Sequence, residues 1–268
     1  MPLITLPLFL VVISTLANML GIEGGSLVMP LLIYLYGITP ELGSGAVVAG
    51  QVIGLGIGAW NFWRQRRIDF RLAGFILSAT IPGTIIGSYL VPFVSSEFIK
   101  LVIAAILLLA GIRIVFLSHW KLPDTAKGLP RQLTDRQGML FAYFYNRRVW
   151  AWPLFMLAGL FQGMSGTGIG VVQMPVLLMI MDIPAHIAVA TSVFAMAIAS
   201  VAATGAHMAF VRIPWKIVAY LIPGVLIGAQ LGPYLSKRLH PAQIQKVLGY
   251  LLLGLGIIMA GLTMTGQA

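Results

Sequence analysis

Two glycine-rich stretches are the parts of this sequence whose residue types and spacing could do chemistry. Residues 21–26 read Gly-Ile-Glu-Gly-Gly-Ser and residues 166–170 read Gly-Thr-Gly-Ile-Gly, each within an apolar region. Because glycine costs a helix roughly 1 kcal/mol relative to alanine, each stretch predicts a helix break. A helix that begins after a break leaves about four N–H groups unpaired at the positive end of its dipole. Each stretch therefore predicts an anion site built from backbone amides.

Polar residues in and near the breaks extend this prediction. Hydroxyl groups can add donors, a glutamine lies early in a later apolar run, and a Thr-Ser pair stands near the start of another. The predicted substrate-binding residues are Gly24, Gly25, Ser26, Gln51, Ser165, Thr167, Gly168, Gly170, Thr191 and Ser192. Alternatives stay open, because small residues also pack helices closely, and Gln51, Thr191 and Ser192 could simply bond to a neighbouring helix or a nearby carbonyl.

Glu23 stands inside the first stretch, where an ionisable side chain at membrane depth is costly and is a functional candidate by default. Desolvation would favour the protonated carboxyl group, which would not repel a bound anion. One hypothesis is that this proton travels with the substrate and couples transport to the proton gradient. The alternative is that the carboxylate stabilises the start of the following helix.

The composition places the chain in a membrane. Hydrophobic residues make up 59% of the chain and charged residues 9%, so a soluble globule could not keep the apolar surface out of water. The long apolar runs lack the alternation of barrel strands, so the predicted class is an all-α integral membrane protein. The net charge of +10 lies between the apolar runs, which favours lipid over nucleic acid as a partner.

The apolar runs return in the same order. Gly21 and Gly166 are 145 positions apart (166 − 21), and the same separation relates Gly25 to Gly170, Met29 to Met174, Pro30 to Pro175, Arg67 to Arg212 and Ile68 to Ile213. The Ile-Pro-Gly step at 81–83 returns at 222–224, a separation of 141 (222 − 81). The pattern predicts a first transmembrane repeat at 1–118, a basic cytoplasmic linker at 119–149 and a second transmembrane repeat at 150–268.

Each repeat is predicted to contain a glycine-broken helical hairpin and three transmembrane helices. The first two apolar pieces of a repeat are too short for two spans and too long for one, since a span needs about 20 residues. A hairpin that enters and leaves on the same side fits them. Because three further spans per repeat is an odd number, the two repeats are predicted to have opposite orientations in the membrane. The positions of Lys and Arg fit a parallel arrangement less well.

The residue types give little support for an enzyme. The sequence contains no nucleophile and base pair, no HExxH metal pattern, no phosphate-binding loop and no cysteine. We therefore expect no catalytic residues, no metal ligands, no cofactor and no ATP-driven pump.

The glycine breaks carry a resemblance to a known family. Residues 21–32, which run from Gly-Ile-Glu-Gly-Gly to Met-Pro-Leu-Leu, resemble the sulfite exporter TauE/SafE (TSUP) family, as do residues 166–175 and the Ala-Thr-Ser step at 190–192. The resemblance covers nearly the whole chain and implies movement of sulfite, organosulfonates or related sulfur anions. Glu23 and Ala46, which stands where the first repeat would place a threonine, depart from the family pattern.

Together these features predict a multi-pass secondary transporter of the bacterial cytoplasmic membrane. The expected substrate is sulfite, an organosulfonate or another sulfur oxyanion, and protons would be partners if Glu23 couples them. Membrane lipid is a further partner, nucleic acid is not, and assembly into an oligomer is left open. A passive anion channel and a transporter of small carboxylates are the alternatives.

Overall fold

The computed structural model describes residues 3–116, 129–145, 148–166, 169–236, 238 and 240–264. Helices dominate these residues. Their bounds are α1 Leu6–Leu20, α2 Gly25–Tyr36, α3 Pro40–Arg64, α4 Phe70–Leu90, α5 Ser96–Phe116, α6 Arg148–Ser165, α7 Ile169–Pro175, α8 Ala185–Phe210, α9 Trp215–Ser236 and α10 Pro241–Met264. Single 3-10 turns stand at Leu3–Thr5 and Val91–Phe93, and a π-helical segment at Val176–Ile180 continues α7.

Five segments of the described residues are long and apolar enough to cross a membrane. They are Leu3–Leu20, Pro40–Arg64, Phe70–Phe93, Ala185–Phe210 and Trp215–Leu235. Their lengths agree with the about 20 residues that a helical span needs. The predicted all-α integral membrane class and the multi-pass membrane location are therefore confirmed.

The first glycine break turns the chain back on itself. Gly21 follows α1 with φ of +72°, a left-handed conformation that glycine adopts without strain, and its N–H donates to the carbonyl of Ala17. At the opposite ends of the two helices, Thr5 Oγ1 lies 2.7 Å from the Tyr36 hydroxyl oxygen. Helices α1 and α2 therefore run antiparallel as a hairpin.

The second glycine break also begins with a left-handed glycine after a helix. Gly166 follows α6 with φ of +68°, and its N–H donates to the carbonyl oxygen of Gln162 at 2.7 Å. The next described residue is Ile169, where α7 begins.

The helix pairings keep their pattern when the two halves of the chain are exchanged. Helix α1 packs on α9 as α6 packs on α4, and α3 packs on α9 as α8 packs on α4. Helix α3 also packs on α8, and α5 packs on α10. Small residues permit several of these contacts, since Gly83 and Gly87 of α4 lie against the backbone of α6.

Helices α3 and α8 run antiparallel through the interior. Ser44 Oγ lies 3.3 Å from His207 Nε2, and about two turns later the Ser200 hydroxyl donates to Gln51 Oε1 at 3.3 Å. Residue numbers therefore rise along α3 as they fall along α8.

Part of the predicted linker is a β-hairpin. Strand β1 (Leu129–Thr134) pairs antiparallel with β2 (Leu140–Tyr145), with Leu129 opposite Tyr145. Tyr143 and Tyr145 are buried and join the main apolar core of the bundle. The many basic residues of 119–149 predict a linker without strands. The region nevertheless ends in alternating aromatic residues, at 141, 143 and 145, which is a pattern typical of a strand. Residues 117–128 and 146–147 of this region lie outside the described residues.

Candidate functional site

The two glycine breaks contact each other inside the bundle. A Cβ atom added to Gly170 would lie 2.5 Å from the backbone nitrogen of Glu23 and 2.6 Å from Ile22 Cα. A Cβ added to Gly25 would overlap the carbonyl oxygen of Gly166. Since no real side chain fits into such gaps, glycine at positions 25 and 170 is what lets the two breaks meet.

Helix α2 begins at the first break without a side-chain cap. Its N-cap residue is Gly24, which has no side chain to offer. The Ser26 hydroxyl donates to the carbonyl oxygen of Glu23 at 3.1 Å, and the amides of Leu27 and Val28 both donate to the carbonyl oxygen of Gly24. The amides that precede Leu27 lie at the positive end of the helix dipole, where an anion is stabilised.

A cavity of about 30 Å³ lies beside the start of α2. Gly24, Gly25, Gln51, Ser14 and Asn18 contribute to its walls, and the other walls are apolar side chains of α1, α2, α3 and α9. Within these apolar walls the effective dielectric constant is low, so a dipole acts more strongly on an ion than it would in water.

Gln51 of α3 links this cavity to the second break. Its Nε2 donates to the carbonyl oxygen of Gly166 at 3.1 Å. Its Oε1 accepts from the Ser200 hydroxyl at 3.3 Å and from Gln162 Nε2 at 3.5 Å. The predicted site residue Gln51 therefore contacts the second break and a polar cluster beyond it.

Gln162 of α6 is the centre of that buried polar cluster. Its Nε2 lies 3.4 Å from Glu23 Oε2 and 3.4 Å from Ser200 Oγ, and the Thr84 hydroxyl donates to its Oε1 at 3.2 Å. All four side chains are completely buried. Through Gln162, one carboxylate oxygen of Glu23 lies next to side chains that can donate or accept hydrogen bonds.

Gln173 of α7 is a further buried amide near the second break. Its side chain is completely buried, and neither Nε2 nor Oε1 has a hydrogen-bond partner among the described residues. Leaving a buried polar group unsatisfied costs about 1–3 kcal/mol. Because a ligand could supply the missing hydrogen bonds, the amide of Gln173 is a candidate ligand contact.

Like Ser26, two further predicted hydroxyl donors contact backbone carbonyl groups. Ser192 Oγ donates to the carbonyl oxygen of Gly21 at 3.0 Å, which places it at the first break. Ser165 Oγ donates to the carbonyl oxygen of Phe161 at 2.7 Å, one turn back in its own helix.

Thr191 lies in a different environment. Its Oγ1 accepts a hydrogen bond from the N–H of Asp69 at 3.0 Å, so it contacts the connection between α3 and α4 and not a glycine break. The predicted residues Thr167 and Gly168 lie outside the described residues.

The sequence patterns missed Gln162, Gln173, Ser200 and Thr84. Each is a polar residue within an apolar helix, and the two glutamines flank the second glycine stretch on either side. An unpaired polar residue in an apolar run was a usable signal, because burial of such groups needs a hydrogen-bond partner or a ligand.

A second polar cluster lies where the β-hairpin meets the connection between α3 and α4. Asp69 Oδ2 accepts from the Tyr143 hydroxyl at 2.6 Å and from the Tyr145 hydroxyl, and Arg131 Nε lies 3.5 Å away. Asp69 Oδ1 also accepts from the backbone amides of α4 and so caps that helix.

The hairpin turn is attached by a buried ion pair. Arg67 donates from Nε and Nη2 to Asp135 Oδ2 at 3.1 and 2.7 Å. Burial by itself would raise the pKa of Asp135, but the hydrogen bonds from Arg67 and from the turn amides hold this pKa below its usual value. The pKa of Asp69 is lowered in the same way, against its burial, by Tyr143 and Tyr145. Both carboxylates therefore stay ionised at neutral pH and hold the hairpin on the bundle.

Comparisons with known proteins agree with this architecture. The family model described as sulfite exporter TauE/SafE matches residues 6–259. The probable membrane transporter protein YunE of Bacillus subtilis (strain 168) is 22% identical over 252 residues, which cover 91% of this chain and 92% of that protein. The probable membrane transporter protein YjnA of the same organism is 24% identical over 254 residues, 91% of this chain and 94% of that protein. No solved structure matches the chain significantly. The chain is a multi-pass membrane transporter and belongs to the sulfite exporter TauE/SafE family.

Proposed function

We propose that this chain is a secondary transporter that moves a small anion, with sulfite, an organosulfonate or another sulfur oxyanion as the substrate class. The observation that carries the proposal is the contact between the two glycine breaks, together with the cavity beside the uncapped start of α2. The printed family name supplies the sulfur chemistry. A small carboxylate would use the same amide donors, so the test must include both kinds of anion.

An inverted repeat fits the helix directions. Helices α3 and α8 occupy equivalent places in the proposed repeats 1–118 and 150–268, yet they run antiparallel. Repeats of parallel topology would align them. A pseudo-two-fold axis in the membrane plane accounts for both facts, and it is the arrangement from which many secondary transporters build a binding site near mid-membrane. In this proposal the region 119–149 lies on the cytoplasmic side.

The anion would lie against the first-turn amides of α2, with Gln51 as a side-chain donor. The amide of Gln173 supplies a further polar group whose hydrogen-bonding capacity is not used by the described residues. The start of α7, with Thr167 and Gly168, would complete the site from the other repeat. Backbone dipoles and neutral amides suit an anion that must leave again, because they bind it without a full opposite charge.

Glu23 is proposed to carry a coupled proton. Its carboxyl group is completely buried, and Gln162 lies within hydrogen-bond reach of it. An amide side chain has both a donor and an acceptor, so Gln162 can serve the ionised and the protonated carboxyl group in turn. A Glu23→Gln variant is expected to lose proton-linked uptake, and the coupling hypothesis fails if this variant keeps it.

Flux into proteoliposomes tests the proposal. The panel contains sulfite, sulfate, thiosulfate, taurine, sulfoacetate and small carboxylates. Gln51→Met, which introduces the residue at the equivalent position 196, is expected to reduce uptake of the transported anion about tenfold by removing one hydrogen bond to a charged group. Gln230→Met changes an exposed glutamine of α9 and should leave uptake unchanged. Wild-type uptake by Gln51→Met, or no uptake of any anion in the panel, would overturn the proposal.

The same vesicles separate a transporter from a channel. Uptake is compared with and without an imposed proton gradient, at a fixed substrate gradient. An increase that depends on the proton gradient supports coupled transport. Flux fully explained by the substrate gradient would favour a passive anion channel.

A further inference from the structure

A polar cavity of about 280 Å³ lies between the end of α3 and the turn of the β-hairpin. None of its lining residues belongs to the glycine breaks or to the polar cluster around Gln162. The lining residues are Asn61, Arg64, Gln65, Arg67, Asp135, Arg136 and Gln137.

Asp135, the one carboxylate among the described lining residues, already accepts four hydrogen bonds. Asp135 Oδ2 accepts both hydrogen bonds of Arg67, and Oδ1 accepts from the backbone amides of Gln137 at 2.8 Å and Met139 at 3.0 Å. The charges of Arg67 and Asp135 therefore cancel each other within a fixed, buried pair.

Two further guanidinium groups remain. Arg64 and Arg136 are exposed, and neither has a carboxylate within 4.0 Å among the described residues. The backbone of Arg136 is held in place, since its N–H donates to the carbonyl oxygen of Gln65 at 3.1 Å. Within the described part of the chain, the cavity thus carries two positive charges that no acidic side chain compensates.

We propose that this cavity binds an oxyanion group, with Arg64 and Arg136 as its charged ligands. A guanidinium group presents parallel N–H donors that match the oxygen atoms of sulfate, sulfite or phosphate. Walls that carry one sign of charge also concentrate ions of the opposite sign. The oxyanion comes either from free solution or from the phosphate of an anionic lipid headgroup, which basic pockets at this kind of surface also bind. The site does not depend on the proposed transport function.

Titration of the purified protein in detergent with sulfate tests the free-anion source. Chloride keeps the ionic strength constant, and the midpoint of thermal unfolding is the readout. A saturable stabilisation is expected for the wild type. Arg64→Gln and Arg136→Gln should each weaken the apparent affinity about tenfold, because each removes a charge-assisted hydrogen bond. Arg71→Gln removes an exposed arginine that does not line the cavity and should bind as the wild type does.

Retention of phosphatidylglycerol, measured by native mass spectrometry after purification, tests the lipid source. Loss of this lipid from Arg64→Gln and Arg136→Gln, but not from Arg71→Gln, would support a headgroup site. The proposal is overturned if neither sulfate affinity nor lipid retention changes in the two variants. It is also overturned if sulfate affinity responds only to Gln51→Met, because the anion would then bind at the glycine breaks. That last outcome would leave the proposed transport function intact.

Discussion

Both glycine breaks begin with a left-handed glycine at the end of a helix, but different side chains lie around them. The walls of the small cavity beside α1 are mostly apolar, whereas Gln162 of α6 lies in a cluster of hydrogen-bonded side chains. At separations of 145 or 141 positions, Ala17 corresponds to Gln162, Val28 to Gln173, Leu55 to Ser200 and Val225 to Thr84. The contact between the breaks requires glycine at positions 25 and 170, while the surrounding positions carry side chains of different polarity.

The connections after α3 and α8 differ in a similar way. Both carry an Arg-Ile step, at 67–68 and at 212–213. Arg67 is buried against Asp135 of the β-hairpin, whereas Arg212 is exposed. Only one of the two equivalent connections is thus covered by the hairpin in the described structure. The two connections therefore share an Arg-Ile step but differ in the burial of its arginine.

Removing Arg67 is expected to have the largest effect on stability. In Arg67→Gln the carboxylate of Asp135 stays buried without its partner, which costs roughly 3 to 5 kcal/mol in the free energy of unfolding. Arg212→Gln, at the equivalent exposed position, should change stability little. Denaturant unfolding in detergent measures both variants, and equal losses in the two would remove the contrast between the connections.

Gly25→Ala should have the next largest effect. The new Cβ would overlap the carbonyl oxygen of Gly166, and overpacking of this kind costs about 1–3 kcal/mol. Gly24→Ala is the matched control, because its Cβ would lie 3.8 Å from the nearest side-chain atom, in ordinary contact. Equal stability of the two variants in thermal unfolding would contradict the close contact between the breaks.

Thr84→Val gives position 84 the residue that stands at the corresponding position 225. The change keeps the shape and removes the donor to Gln162 Oε1, so a loss of about 1 kcal/mol and reduced anion uptake are expected. Thr15→Val should leave uptake unchanged, because the Thr15 hydroxyl donates to the carbonyl oxygen of Val11 in its own helix. Equal uptake by Thr84→Val and the wild type would show that the polar cluster is not part of the transport site.

The pH dependence of unfolding should show the smallest effect. The folded state lowers the pKa of Asp69 and Asp135, so their contribution to stability is present above an unfolded-state pKa of about 3.9 and is lost as the pH falls. Asp135→Asn is therefore expected to flatten the loss of stability between about pH 5 and pH 3. Asp182→Asn removes an exposed carboxylate and controls for net charge. An unchanged slope in Asp135→Asn would contradict the ion-pair account.

Much of the helical arrangement could be predicted because its causes are local. Apolar runs predict spans, and glycine clusters predict breaks, as the left-handed residues Gly21 and Gly166 illustrate. The β-hairpin was not predicted, since Tyr143 and Tyr145 are buried through contacts far away in sequence, with the main apolar core and with Asp69. Thr191 stays a predicted site residue. Its hydrogen bond with Asp69 could not be predicted, because the two residues are 122 positions apart and no local pattern indicates the contact.

A crystal structure with selenite, the selenium analogue of sulfite, would test the central claim most directly. Anomalous scattering at the selenium edge locates the anion without reference to any assumed site. We predict a peak within hydrogen-bond distance of the first-turn amides of α2, next to Gln51 and the start of α7. Selenium found only at the protein surface, at a concentration that supports transport, would contradict this prediction.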